Sequence, residues 1–264
     1  MGFIKRLFTR KKVKVYLSII FLIIIVLFLW RGCRGPLLTP KKTYLIARSE
    51  NLAPLKMQGK EPNFLAFESD IVAEVAALEN LKFRLITVGA INLFDPLNQD
   101  YYDAILLALE PDSMMKERYY ISDSMFDSGA VLVVPSTSNV TTLKEIQGQG
   151  IGIESGSSLI FKLSQQDLLL VSYSNMISAL DDLDRGIIAG VIMDSNLAYV
   201  YTNGFYKDRL KVASSPLTNL GVRIVARDTP EEGYFIEHFN EGLKKLRENG
   251  RYDELIEKWE LIHP

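Results

Sequence analysis

Read from the amino terminus, apolar residues come first as one unbroken run and then as a repeating alternation of two periods. Val15 to Trp30 (VYLSIIFLIIIVLFLW) is apolar throughout except for Ser18. From Thr43 onward, short apolar runs alternate with stretches of helical spacing. Thr43 to Ala47 predicts a strand, and 64–81 places Ile71, Val72, Val75, Ala76 and Leu78 at a helical period. Further strands are predicted at 83–88, 103–109, 129–134, 151–154, 168–173, 189–193, 210–213 and 220–226. Short helices fall around Leu93–Leu97, Leu143–Ile146 and 159–163, and longer ones at 175–183 and 195–201. Two amphipathic helices, 230–249 and 251–259, close the chain, with Gly250 between them as the residue that ends the first. Runs such as DAILLAL (103–109) and GAVLVV (129–134) fit strands buried on both faces. The alternation predicts an α/β fold with parallel sheets covered on both sides. In such folds ligands sit beyond the carboxyl ends of the strands.

Charge divides the chain where the pattern does. Its 264 residues carry a formal net charge of -2, but residues 1–49 hold 11 Lys or Arg and no acid. The remainder holds 19 basic and 32 acidic side chains, which argues against a nucleic-acid partner. Lys5, Arg6, Arg10, Lys11, Lys12 and Lys14 precede the apolar run, so the positive-inside bias keeps 1–14 cytoplasmic and exports the rest. Residues 15–30 are read as a transmembrane anchor or uncleaved signal, with cleavage, or lipidation at Cys33, as the other fates. Residues 31–42 form a linker. One cysteine excludes an intrachain disulfide, and no Cys/His set at zinc spacing is present. Neither a metal nor a cofactor is implied.

Candidate chemistry gathers at two strand ends. Gly150 to Ser158 (GIGIESGSS) reads as a strand, a turn and a helix start. Free N–H groups at such a start, with Gly156 and the hydroxyls of Ser157 and Ser158, suit a carboxylate or small anion. The plainer reading is that a serine caps its own helix. Asp194 ends the strand AGVIM and precedes a helix, so it either caps that helix or faces a ligand.

The closing segment, Gly221 to Val225 followed by FNEGLKKLRENGRYDELIEKWE, resembles the extracytoplasmic solute-binding proteins of family 3, which serve polar amino-acid ABC importers. Leu243, Leu246, Gly250, Tyr252, Ile256, Lys258 and Trp259 match that family's closing pattern. A second match covers Leu143 to Ser158. The resemblance implies a two-lobed type II periplasmic-binding fold, with 43–130 and 216–264 as a proximal lobe and 131–215 as a distal lobe. It further implies that Ser157 and Ser158 meet a ligand's α-carboxylate and that Asp194 takes its α-ammonium.

The chain departs from the family where an arginine normally clamps the carboxylate. Aligned without gaps, Met115 stands at that place and Glu110 where a Thr or Ser belongs. A local three-residue shift recovers Arg118 and Ser113 instead. In the first loop Leu52 and Leu55 replace frequent aromatics, and Ser49 replaces a frequent acid, which implies a more aliphatic, less acidic pocket. The binding set expected from the sequence is therefore Ser49, Leu52, Ser113, Arg118, Gly156, Ser157, Ser158 and Asp194.

The function so implied is a membrane-tethered binding protein. It would capture an amino acid or small anion outside the inner (plasma) membrane, or in the periplasm, and deliver it to an ABC permease. A sensor or scaffold on the same fold is the alternative. A dehydratase is less favoured, with Glu110 or Glu154 as its candidate acid, because no catalytic set accompanies either residue.

Overall fold

The computed structural model describes residues 42–57, 59–89 and 92–262. Among these, no helix is long and apolar enough to cross a membrane. The predicted span Val15–Trp30 lies outside the described residues.

Two sheets organise the chain, both within one compact unit that begins at Thr43. The first contains β1 (Thr43–Ser49), β2 (Lys82–Val88), β3 (Ala104–Leu109), β4 (Tyr119–Ile121), β5 (Phe126–Asp127) and β11 (Gly221–Arg227). Its order is β2-β1-β3-β11-β4, with β5 also paired to β11. The second contains β6 (Ala130–Pro135), β7 (Gly150–Glu154), β8 (Leu169–Tyr173), β9 (Gly190–Asp194) and β10 (Leu210–Val212), in the order β10-β6-β9-β7-β8. The chain leaves the first sheet between Asp127 and Ala130 and returns between Val212 and Gly221.

Neither sheet is wholly parallel, which corrects the expectation from alternation. β11 runs antiparallel to β3, β4 and β5, and β6 runs antiparallel to β9 and β10. These are the strands into which each crossing feeds, and they enter their sheets from the opposite end. Hydrophobic period does not register strand direction.

Helices cover both faces. Against the first sheet, α1 (Glu61–Leu78) starts with Pro62 in its opening turn, where the missing N–H is harmless. Phe64, Phe67, Ile71 and Val75 of α1 are buried with Ile46, Phe126, Phe235, Phe239 and Tyr252. The last three come from α7 (Pro230–Glu248) and α8 (Arg251–Lys258), joined through Gly250 at φ 78. The opposite face buries Ala47, Ile105 and Val225 under α2 (Phe94–Asn98). In the second sheet, Val131 and Val133 pack with α5 (Met176–Asp184), while Leu132 and Val134 pack with Ile151 and Ile153. That division by twos within one strand is the period-2 signature of a sheet covered on both sides.

Arg48 at the end of β1 is tied inward. Its guanidinium donates to the Leu65 carbonyl (2.6 Å), the Glu68 carboxylate (3.1 Å) and the Ser69 hydroxyl (3.2 Å). Burial pushes the Glu68 carboxyl up from 4.5 to about 7 against the pull of Arg48. The folded protein therefore holds a proton that the unfolded chain releases between those values. This raised carboxyl makes stability fall as pH rises from 4.5 to about 7, with a slope approaching about 1.4 kcal/mol per pH unit. Urea melts at pH 5 and pH 7 are expected to show that decline in the native chain and a flatter profile in Glu68→Gln. Equal slopes in both proteins would contradict it.

Candidate functional site

The carboxyl ends of β7 and β9 lie side by side, because both strands run parallel in the second sheet. After Glu154 the chain turns sharply: Ser155 N–H donates to the Tyr173 carbonyl (2.8 Å), Ser157 N–H to the Glu154 carbonyl (3.1 Å), and Gly156 adopts φ +79. That conformation favours glycine over any residue with a Cβ. The short helix α4 (Leu159–Leu163) follows with Ser158 at its cap position and no side-chain capping bond, although Ser157 Oγ accepts from Leu159 N–H at 3.3 Å.

Asp194 both caps and faces a cavity. One carboxylate oxygen accepts from the N–H groups of Asn196 (2.9 Å) and Leu197 (3.3 Å) at the start of α6 (Ser195–Asn203). The other accepts from the Ser128 hydroxyl at 2.7 Å. Having given its one proton to Asp194, Ser128 accepts from Asn196 Nδ2 at 2.9 Å. Burial pushes the Asp194 carboxyl above its ordinary value, opposed by Ser128, by these backbone donors and by the charge of Lys56.

A cavity of about 390 Å3 lies between the two sheets. Its polar lining includes Lys56, Glu110, Ser128, Ser157, Ser158 and Asp194, and Leu109, Leu159, Ile192 and Leu220 give it apolar walls. Lys56 and Glu110, from the segments that follow β1 and β3, thus line it together with residues of the second sheet. Two ion pairs bridge the same gap: Lys56 Nζ to both Glu154 oxygens (2.6 and 2.7 Å), and Lys162 Nζ to both Glu110 oxygens (3.1 and 3.2 Å). All four side chains are substantially exposed, so each pair contributes about 0.2–1 kcal/mol. Lys162→Met is therefore expected to lower Tm by no more than about 4 °C, a difference that vanishes in high salt. A thermal scan at low and high salt checks both points.

Of the sequence-derived candidates, Ser157, Ser158 and Asp194 line this one cavity. Gly156 shapes the turn beside them. Ser49 lines a different cavity, with Asn51, Asn92 and Phe94 among its neighbours. Leu52 is packed against the first sheet's core, as is Leu55. Ser113 opens the short helix α3 (Ser113–Arg118) and is exposed. Arg118, at the other end of α3, is exposed, with its guanidinium 5.9 Å from the Tyr119 ring centre. Met115 packs against the apolar cluster around Leu93 and Leu97. Sequence reasoning does not single out Lys56, Ser128 or Thr218, which belong to the cavity. Lys56 carries no local signal, being one lysine in a loop of a chain with 30 Lys and Arg.

A second cavity, about 510 Å3, opens near the crossings and is lined by Glu110, Asp127, Gly129 and the segment Pro216–Leu220. Its charged lining is acidic only, so it lacks the paired charges that the first cavity sets against each other. Among the described residues no group of His, Cys, Asp and Glu is arranged to hold a metal ion.

Two mixed sheets joined by two crossings, with a polar cavity at their facing strand ends, define a two-lobed type II solute-binding architecture. Residues 44–261 match the bacterial extracellular solute-binding proteins, family 3, and the chain belongs to that family. Among its relatives, a probable histidine-binding protein of Neisseria gonorrhoeae is 22% identical over 235 residues, covering 87% of each chain. The lysine/arginine/ornithine-binding periplasmic protein of Escherichia coli K12 is 20% identical over 235 residues, covering 83% of this chain and 87% of the relative. In fold, the chain is similar to the L-cystine solute receptor of N. gonorrhoeae in its unliganded open conformation. That pair has a TM-score of 0.63 at 16% identity, over 83% of this chain and 93% of the other. Substrate-binding domain 2 of Lactococcus lactis GlnP, also open, gives 0.59 at 21% identity over 84% and 97%.

Proposed function

We propose that this protein binds a free amino acid in the cavity between its lobes and presents it to an ABC permease. The carrying observation is that the Asp194 carboxylate and the Ser157–Ser158 turn share one cavity. Asp194 takes the ligand's α-ammonium, and the turn, with its hydroxyls and amides, takes part of the carboxylate's charge. Relatives described as binding histidine, arginine or lysine support an amino acid as the solute. In this chain Glu110 and Glu154 are each paired with a lysine, which leaves Asp194 as the net negative centre.

The lobes, 43–130 with 216–264 and 131–215, close over the ligand because it contacts both: Asp194 and the Ser157–Ser158 turn lie on 131–215, while Lys56, Leu109 and Glu110 line the cavity from the other lobe. A ligand shifts that equilibrium only by its differential affinity for the closed form. Residues 15–30 serve as a retained anchor that keeps the binding domain at the outer face of the membrane. Relatives in the family are described as binding proteins, which supports binding as the activity.

Calorimetry of the exported domain against a panel of free amino acids tests this reading. A saturable heat with at least one of them is expected, and none with any would overturn it. Among the described residues no arginine lines the cavity, which favours one second reading, a sensor that keeps closure but signals to a membrane partner. Affinity purification from membranes separates the two: permease and ATPase subunits support uptake, whereas a kinase supports sensing.

A further inference from the structure

We infer that Lys56 is the cation that receives the ligand's carboxylate, and that it makes the site selective for amino acids with a free carboxylate over their neutral amides. The inference rests on the amino-acid reading above. A zwitterion buried in a cavity needs an anion for its ammonium and a cation or several donors for its carboxylate, because an unpaired buried charge is costly. Three carboxylates line or border the cavity: Glu110, Glu154 and Asp194. Lys56 is the basic side chain among its lining residues.

Among the described residues, no arginine lines the cavity. Arg48 is held by Leu65, Glu68 and Ser69. Arg223 is held by the Ser122 carbonyl and Asn219. Arg118 lies by the Tyr119 ring on the exposed helix α3. Lys162, paired with Glu110, is not among the residues that line the cavity.

Lys56 is free to do more than hold Glu154. An ammonium has three N–H donors, and the two Glu154 oxygens at 2.6 and 2.7 Å occupy at most two of them. The Lys56–Glu154 pair is half-exposed, with side chains 43% and 46% accessible, so the attraction it must share or give up is small. Lys56 also lies close enough for its charge to act on Asp194. Cation and anion both line the space a zwitterion would fill, Lys56 from the first lobe and Asp194 from the second. The contact also couples recognition to closure, since the carboxylate reaches Lys56 only when the lobes are together. A lysine offers a point charge in place of arginine's planar fork. The carboxylate is thus required for its charge more than for its exact orientation.

The test uses an amino acid found to bind in the panel, together with its carboxamide, titrated into the wild-type domain and Lys56→Met. In the wild type the carboxylate form is expected to bind at least about tenfold tighter than the amide, about 1.4 kcal/mol. In Lys56→Met that ratio is expected to fall to within about twofold, and in Lys56→Arg to be largely restored. Glu154→Gln, which releases Lys56 without removing it, is expected to keep or raise the ratio. A Lys56→Met protein that weakens both ligands equally and keeps the ratio would reduce Lys56 to a latch between lobes and overturn the inference alone. Failure of the wild type to bind any amino acid would instead sink the functional reading beneath it.

Discussion

Asp194→Asn is expected to weaken amino-acid binding by about 3 kcal/mol, on the order of a hundredfold in Kd, while leaving the fold nearly as stable as before. Removing one partner of a buried, hydrogen-bonded charge pair costs about 2–5 kcal/mol, because the other charge is left stranded. Asparagine keeps an oxygen that can accept from the Asn196 and Leu197 N–H groups, so the start of α6 remains capped. Asp194→Ala removes that acceptor and the Ser128 contact as well, and adds a stability loss of about 1–2 kcal/mol. The two variants therefore separate charge from capping. The same carboxyl sets a pH limit. Burial raises it in the free protein, and only the ionised form pairs with an ammonium. Affinity is expected to fall with decreasing pH, beginning above the ordinary carboxylate range. Calorimetry on both variants, and on the wild type from pH 8 down to pH 4, measures all three effects. Binding that survives Asp194→Asn unchanged would remove Asp194 from the site.

What the sequence made legible followed from period and from punctuation. The two closing helices could be placed because Gly250 interrupts a strong apolar stripe, and in the structure it takes the left-handed conformation that glycine tolerates best. β6 and β7 could be placed because their buried faces leave continuous apolar runs. β4 and β5, with 3 and 2 residues, are too short to carry a period, and they exist through pairing with β11. Strand direction was likewise hidden.

The second-lobe part of the candidate site rested on local chemistry, since a serine-rich turn and an acid at a strand end are visible in the chain itself. The first-lobe part rested on aligning a stretch where the family arginine is missing. There a shift of three residues exchanges Met115 for Arg118, and both side chains lie outside the cavity, one packed among apolar residues and the other by Tyr119. Lys56 is brought to the cavity by a loop whose path depends on tertiary packing, notably burial of the adjoining Leu55 and Met57.

The second large effect is expected from Gly129→Ala, at the first crossing between the sheets. A Cβ built on Gly129 would lie 2.3 Å from the Thr218 carbonyl oxygen and 2.8 Å from the Pro216 side chain. The contact is with backbone of the returning crossing, so no side-chain rotation relieves it. The neighbourhood is also tied down: Ala130 N–H donates to Thr218 Oγ1 (3.0 Å), Leu217 N–H to the Ala130 carbonyl (2.7 Å), and Ser195 N–H to the Gly129 carbonyl (3.1 Å). Accommodating one methyl group means separating the two crossings and straining those bonds, at a cost of about 3 kcal/mol. For a domain of this size that corresponds to a fall in Tm of about 6–12 °C. The control is Gly89→Ala, where an added Cβ meets nothing within 4 Å, and a change within about 0.5 kcal/mol is expected. Because the crossings fix how Ser128 and Asp194 approach Lys56 and Glu110, Gly129→Ala is also expected to weaken ligand binding at temperatures where it remains folded. Gly89→Ala is expected to bind normally. A Gly129→Ala protein that melts within 2 °C of wild type would mean that the crossings are not packed against each other as tightly as these distances require.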